Sequence, residues 1–231
     1  IMAAVHDNHN WQRCPPAWHA RYQPEMDAIL GPGEKVASFL NWEHYGPWIA
    51  PDAFPALGGE QAMIEAAGMT RERGSHLKHL FSCSRYWLHE DITDGYFDSV
   101  ITRMAAIQRG ETDRQDMIRH HDFVGDFVIT CPGSGAYRET MVEYVSKLAG
   151  DYQHDFISMD IWPASQPVPC HNPEHSHPPG LGRWFVESNL EMVKGMQEAV
   201  FKRQPQAVFG GEGMAEPYMP FFNVYLMRSA S

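Results

Sequence analysis

The chain has 231 residues, 43% hydrophobic and 20% charged, with a formal net charge of −11. This length suits one α/β domain and approaches the roughly 250 residues of a complete eight-stranded barrel. The acidic balance without a basic cluster argues against a nucleic-acid partner, and no run approaches the ~18 apolar residues of a membrane span.

Residues 1–34 are rich in Trp, Pro and His without a clear period and read as an irregular lead-in. The sequence opens on Ile1 with no signal peptide in view. A trimmed N-terminus would favour a secreted or periplasmic protein over a cytoplasmic one. From residue 35 to 231 strand-like and helix-like segments alternate. Strands are expected at Val36–Trp42, Leu77–Cys83, Asp126–Cys131, Phe156–Ile161, Ala207–Gly210 and Phe222–Met227. Helices are expected near Glu60–Ala67 and Phe97–Gln108. Another should run to a stop at Gly150, with Tyr137, Met141, Tyr144, Val145 and Leu148 on one face. The last spans about Trp184 to Arg203, with Val186, Leu190, Val193 and Val200 as its stripe.

Alternation of this kind implies right-handed βαβ units and a parallel sheet. An open doubly wound sheet and a (β/α)8 TIM-type barrel both fit. Long, residue-rich loops after the strands and short ones before them favour the barrel, here incomplete toward the C-terminus.

Two apolar runs end on an acid: Phe156-Ile157-Ser158-Met159-Asp160 and Ala207-Val208-Phe209-Gly210-Gly211-Glu212. Strand ends on the carboxyl side are where α/β barrels place catalytic groups. Two carboxyl groups there suit glycoside hydrolysis, one as nucleophile or base and one as proton donor. The glycines around Glu212 permit close backbone approach. Met214, Tyr218 and Met219 supply an apolar setting that raises a carboxyl pKa. Each acid could instead simply cap a loop or helix, and Glu43 and Glu216 compete as proton donors. Trp42, His44, Trp48, Trp162 and Tyr218 are candidates for stacking on a sugar ring or bonding its hydroxyls, although Trp42 or Trp48 taken alone is more often a packing residue.

Four cysteines (Cys14, Cys83, Cys131, Cys170) lack any C-x-x-C spacing, which argues against a zinc ribbon or a disulfide scaffold. Cys83 and Cys131 lie in apolar runs and read as free buried thiols. In the loop Cys170-His171-Asn172-Pro173-Glu174-His175-Ser176-His177-Pro178, His175 and His177 either line the substrate pocket or are structural or solvated. A competing reading makes Cys170, His175 and His177 ligands of a hydrolytic metal. No cofactor is otherwise expected. Cys131-Pro132-Gly133-Ser134-Gly135 lacks both G-x-S-x-G and a P-loop Lys, and reads as a tight βα turn.

These motifs, taken in order, resemble a bacterial family of glycosidase-like barrels known as domain of unknown function 6259. Its pattern has a C-P turn, a strand ending in Asp, a C…HGHP-G-G loop and a strand ending in E-G-x-x-E. Here Ser176 stands where Gly is usual. More distantly the chain is similar to the α-amylase and endo-α-N-acetylgalactosaminidase families. That resemblance implies a retaining glycoside hydrolase with Asp160 as nucleophile and Glu212 as general acid/base. The α-amylase pattern has Arg two residues before the nucleophile, where this chain has Ser158, and its transition-state-stabilising Asp has no identified counterpart. The remaining alternative is a non-catalytic carbohydrate-binding barrel fragment.

Overall fold

The computed structural model describes residues 3–6, 28, 35–39, 59–72, 74–82, 85–87, 118–124, 127–163, 169–173, 175–212 and 215–226. In chain order these form β1 (Ala3–His6), β2 (Lys35–Phe39), α1 (Glu60–Glu72), β3 (Ser75–Ser82), β4 (Arg85–Trp87), β5 (Ile118–Val124), β6 (Phe127–Thr130), α2 (Gly135–Gly150), β7 (Phe156–Pro163), α3 (Arg183–Arg203), β8 (Val208–Glu212), a 3-10 helix (Glu216–Phe221) and β9 (Val224–Leu226). Among the described residues, six strands make one sheet in the order β1-β2-β3-β7-β8-β9, and every adjacent pair is parallel.

Two expectations need correction. The lead-in is not wholly irregular, because Ala3–His6 pairs in parallel with Lys35–Ser38. The Asp126–Cys131 run does form a strand, but β6 pairs antiparallel with β4 and β5 in a separate three-stranded sheet. Local composition makes the strand, whereas its partner sets the orientation. This small sheet lies in sequence between β3 and α2, so β3 still neighbours β7 directly. The expected helix at Phe97–Gln108 lies outside the described residues.

Helices α1, α2 and α3 bury their apolar faces together with the outward face of β7 and β8. Met63, Ala66 and Ala67 meet Tyr137, Met141, Tyr144, Val145 and Leu148, and all join Ile157, Met159 and Phe209 in one core. In α3 the buried stripe is Met192, Val193, Met196 and Val200, while Val186 is 37% exposed. Methionine, unbranched and flexible, suits such packing among helices and sheet. Phe156 and Ser158, alternating with Ile157 and Met159, are buried too. Burial on both faces is the condition of a parallel sheet and explains why these runs lack polar alternation. Phe209 stacks on Phe222 with centroids 5.0 Å apart. Phe209→Ala is expected to cost about 3–5 kcal/mol, read as a lowered urea midpoint with an unchanged slope.

The ends of α2 show how side chains fix its length. The Ser134 Oγ accepts from the Tyr137 N–H at 3.2 Å, capping the first turn. At the other end Gly150 admits the Arg203 guanidinium, which a Cβ would meet at 1.9 Å, and Arg203 bonds Asp151. The stop expected at Gly150 is therefore also a docking point for the end of α3.

Candidate functional site

Chain direction decides which loops meet. The carboxyl ends of β3, β7, β8 and β9 lie at one edge of the parallel sheet. Helix α2 runs back against β7 and joins it through the short 151–155 link, so the Cys131–Ser134 turn before α2 lies at that same edge. The segment after β7 and the start of α3 lie there too.

Asp160 and Glu212 belong to this edge. Asp160 pairs in register with Ser82 of β3, and Glu212 is the last residue of β8. Along β7 and β8 the pairing runs Phe156↔Val208 to Met159↔Gly211, then shifts so that Pro163 faces Glu212. Uninterrupted register would set Asp160 opposite Glu212. Instead the backbone of Asp160, Ile161 and Trp162 spans the irregularity, a feature that re-aims strand residues beside active sites. The two acids thus sit on neighbouring parallel strands, whose backbones run about 4.8 Å apart, and are offset along them by the register shift. Close to them the strand interior is narrow. A Cβ on Gly210 would stand 3.2 Å from the Phe156 ring and 3.3 Å from the Val224 carbonyl.

The other expected residues fall in several places. Trp162 lies within β7. Glu216 is exposed at the start of the 3-10 helix, whereas Tyr218 is 4% exposed in the core. Burial raises the Tyr218 hydroxyl pKa, and a side-chain hydrogen bond to Asn189 of α3 opposes that shift. Trp42, Glu43, His44 and Trp48 lie outside the described residues.

At the same edge four side chains from two loops converge. Cys131 follows β6; Cys170, His175 and His177 follow β7. Their Sγ and imidazole nitrogen atoms all lie within 4.8 Å of one another. Cys131 Sγ is 3.2 Å from His177 Nε2, and Cys170 Sγ is 3.3 Å from His175 Nδ1. Both cysteines are buried and neither is disulfide-bonded, and the sequence implied the burial of Cys131. Sequence spacing did not show that Cys131 joins the Cys170 loop.

Each loop is built for this meeting. The turn closes through Ser134 N–H donating to the Cys131 carbonyl at 3.0 Å, and Arg138 donates to the Pro132 carbonyl at 2.7 Å. The second loop is pinched by paired backbone bonds between Cys170 and Gly180, 3.1 and 2.7 Å long, with Gly180 at φ +92°. The His177 ring stacks on Trp184 of α3, centroids 3.5 Å apart. Gly133 makes room for it, since a Cβ there would fall 2.2 Å from His177 Cδ2.

The thiol of Cys170 is pushed down to about pH 3, first because the Cys131 thiol donates to it, with His175 and the Asn172 backbone adding to the effect against burial.

Comparisons with known proteins agree with this architecture. Over 177 residues the chain is 23% identical to a Bacteroides thetaiotaomicron protein named "Putative glycoside hydrolase", a match covering 77% of this chain and 25% of that protein. An α-N-acetylgalactosaminidase from Bifidobacterium bifidum superposes with a TM-score of 0.65 at 16% identity, covering 97% of this chain and 37% of that one. An α-galactosidase from Thermus thermophilus, in complex with stachyose, gives a TM-score of 0.63 at 14% identity over 97% of this chain and 42% of its own. The chain thus spans a quarter of its curated relative and less than half of these structures, and it shares their fold. Residues 5–231 match a family model described as "Domain of unknown function (DUF6259)", and the chain belongs to that family.

Proposed function

We propose that this chain forms most of a (β/α)8-type catalytic barrel of a retaining glycoside hydrolase acting on an α-linked carbohydrate. The observation that carries this reading is the pair of acids on neighbouring parallel strand ends, Asp160 on β7 and Glu212 on β8. The α-glycosidase titles of the structurally similar proteins and the name of the curated relative support it.

In the first step the Asp160 carboxylate attacks the anomeric carbon while Glu212 gives its proton to the departing glycosidic oxygen. The C–O bond to the leaving group breaks as an ester bond to Asp160 forms. In the second step Glu212, now a carboxylate, takes a proton from water as that water attacks the anomeric carbon and displaces Asp160. Two inversions restore the starting configuration. The proton donor must hold its proton near neutral pH. Trp42, Trp48 and Trp162 supply faces for ring stacking, and Glu43, His44 and Glu216 supply hydroxyl partners.

A panel of aryl α-glycosides incubated with the whole protein tests the reading, with the first-formed sugar followed by NMR. Release of the α anomer before mutarotation is expected. Release of the β anomer would replace the retaining mechanism by an inverting one. No turnover of any α- or β-glycoside, alongside unchanged sugar binding in Asp160→Asn, would make the domain a carbohydrate-binding one.

A further inference from the structure

We propose that Cys131, Cys170, His175 and His177 form a four-coordinate site for a zinc ion that clamps the turn entering α2 to the loop entering α3.

The ligand set argues for the metal. Two thiolates and two imidazoles suit tetrahedral zinc, whose Zn–S and Zn–N bonds of about 2.3 and 2.0 Å give ligand–ligand edges of roughly 3.3–3.8 Å. The two Sγ–N pairs here, 3.2 and 3.3 Å, are slightly shorter than the roughly 3.5 Å of an S–N edge, and the whole set falls within 4.8 Å. Two anionic sulfurs balance the dication, each thiol giving its proton to solvent as its Sγ takes up the metal.

The surroundings of His177 fix the tautomer a metal requires, and His175 has an outer partner on its second nitrogen. His177 Nδ1 lies 2.9 Å from the Pro178 carbonyl, to which it donates, leaving the Nε2 lone pair facing Cys131. His175 faces Cys170 through Nδ1, and its Nε2 lies 3.2 Å from the side-chain amide of buried Asn172. The atom there is the amide nitrogen Nδ2; with Nδ1 ligating, Nε2 carries the proton, and a half-turn of the Asn172 amide brings its oxygen round to accept it. A ligating imidazole normally carries such an outer partner on its second nitrogen. All four ring nitrogens are then engaged in the cluster, which turns these histidines away from the role of sugar-hydroxyl donors.

Four protein ligands leave no open position for water, so the ion is structural and not the reactive centre of a metal-dependent hydrolase. Its effect is geometric. The turn and the loop come from different βα connections, and one ion between them fixes both at the edge where β7 and β8 end. This inference stands apart from the hydrolase assignment, because metal content can be measured without turnover.

The test uses untagged protein purified without chelator, with metals measured by mass spectrometry. About one zinc per chain is expected. It should persist in Asp160→Asn and be lost in Cys131→Ser and His177→Gln. Because a ligand variant could fail to fold, the unmodified protein is also exchanged with Co2+. Intense visible bands of tetrahedral cobalt, with near-ultraviolet thiolate charge transfer, are expected. Gly133→Ala, which pushes on His177, should weaken metal retention in a chelator titration. A folded, metal-free protein whose two thiols react freely, a disulfide between Cys131 and Cys170, or full zinc retention in Cys131→Ser would each overturn the proposal.

Discussion

Asp160→Ala is expected to lower kcat/KM toward aryl α-glycosides by on the order of 10^4-fold or more, since no covalent intermediate can form. Truncation to Ala also opens the face from which the carboxylate attacked. Azide can enter there and displace an activated leaving group in one step, so added azide should restore turnover. The product should be a glycosyl azide of inverted configuration, the β-azide from an α-glycoside. A retained azide would instead mean that residue 160 had supplied the proton and that the two roles are exchanged. The circular-dichroism spectrum of the variant should match that of the parent, which separates loss of chemistry from loss of fold.

Glu212→Gln should give the second largest effect, with a dependence on leaving group that no structural role would reproduce. Substrates whose leaving group needs a proton should slow by about 10^2- to 10^4-fold. A dinitrophenyl glycoside, which leaves without help, should form the glycosyl-enzyme at nearly the parent rate. Hydrolysis of that intermediate then lacks its base, so a burst of dinitrophenol and a lowered KM are expected. Azide should relieve this second step and give the retained α-azide. Uniform slowing across leaving groups would remove Glu212 from the acid/base role, leaving Glu43 or Glu216 to be tried.

The strand ends and the helix faces were legible for different reasons. Phe156–Met159 and Val208–Phe209 are short apolar runs that stop on an acid, and a strand buried on both faces has that composition wherever it occurs. Tyr137, Met141, Tyr144, Val145 and Leu148 follow the helical period because one face of α2 meets the core. The stripe of α3 was harder to read. Met192 and Met196 do the packing, while the more β-branched Val186 stands outside it. The antiparallel pairing of β6 was invisible for another reason: nothing in Phe127-Val128-Ile129-Thr130 states whether a neighbour runs with it or against it.

The cysteine–histidine cluster shows where reading along the chain stops. Cys131 is far from Cys170 in sequence and lacks ligand spacing to it. Only the return of α2 along β7 brings the two loops to one edge. Two local signs were present. Gly133 stands where any side chain would strike His177, and His175 and His177 stand one residue apart in a loop pinched between Cys170 and Gly180. Each sign describes half of the site, and neither half points to its partner.

A retaining reaction at Asp160 passes through a bond between substrate and protein. A fluorinated α-glycosyl donor of the sugar that the substrate panel selects slows the second step and lets the intermediate accumulate. Intact mass followed by peptide mapping should then find one sugar attached to Asp160, with the adduct absent in Asp160→Asn and turning over when an acceptor sugar is added. An adduct on any other residue, or inactivation of catalysis without an adduct, would contradict the assignment of Asp160 as the nucleophile.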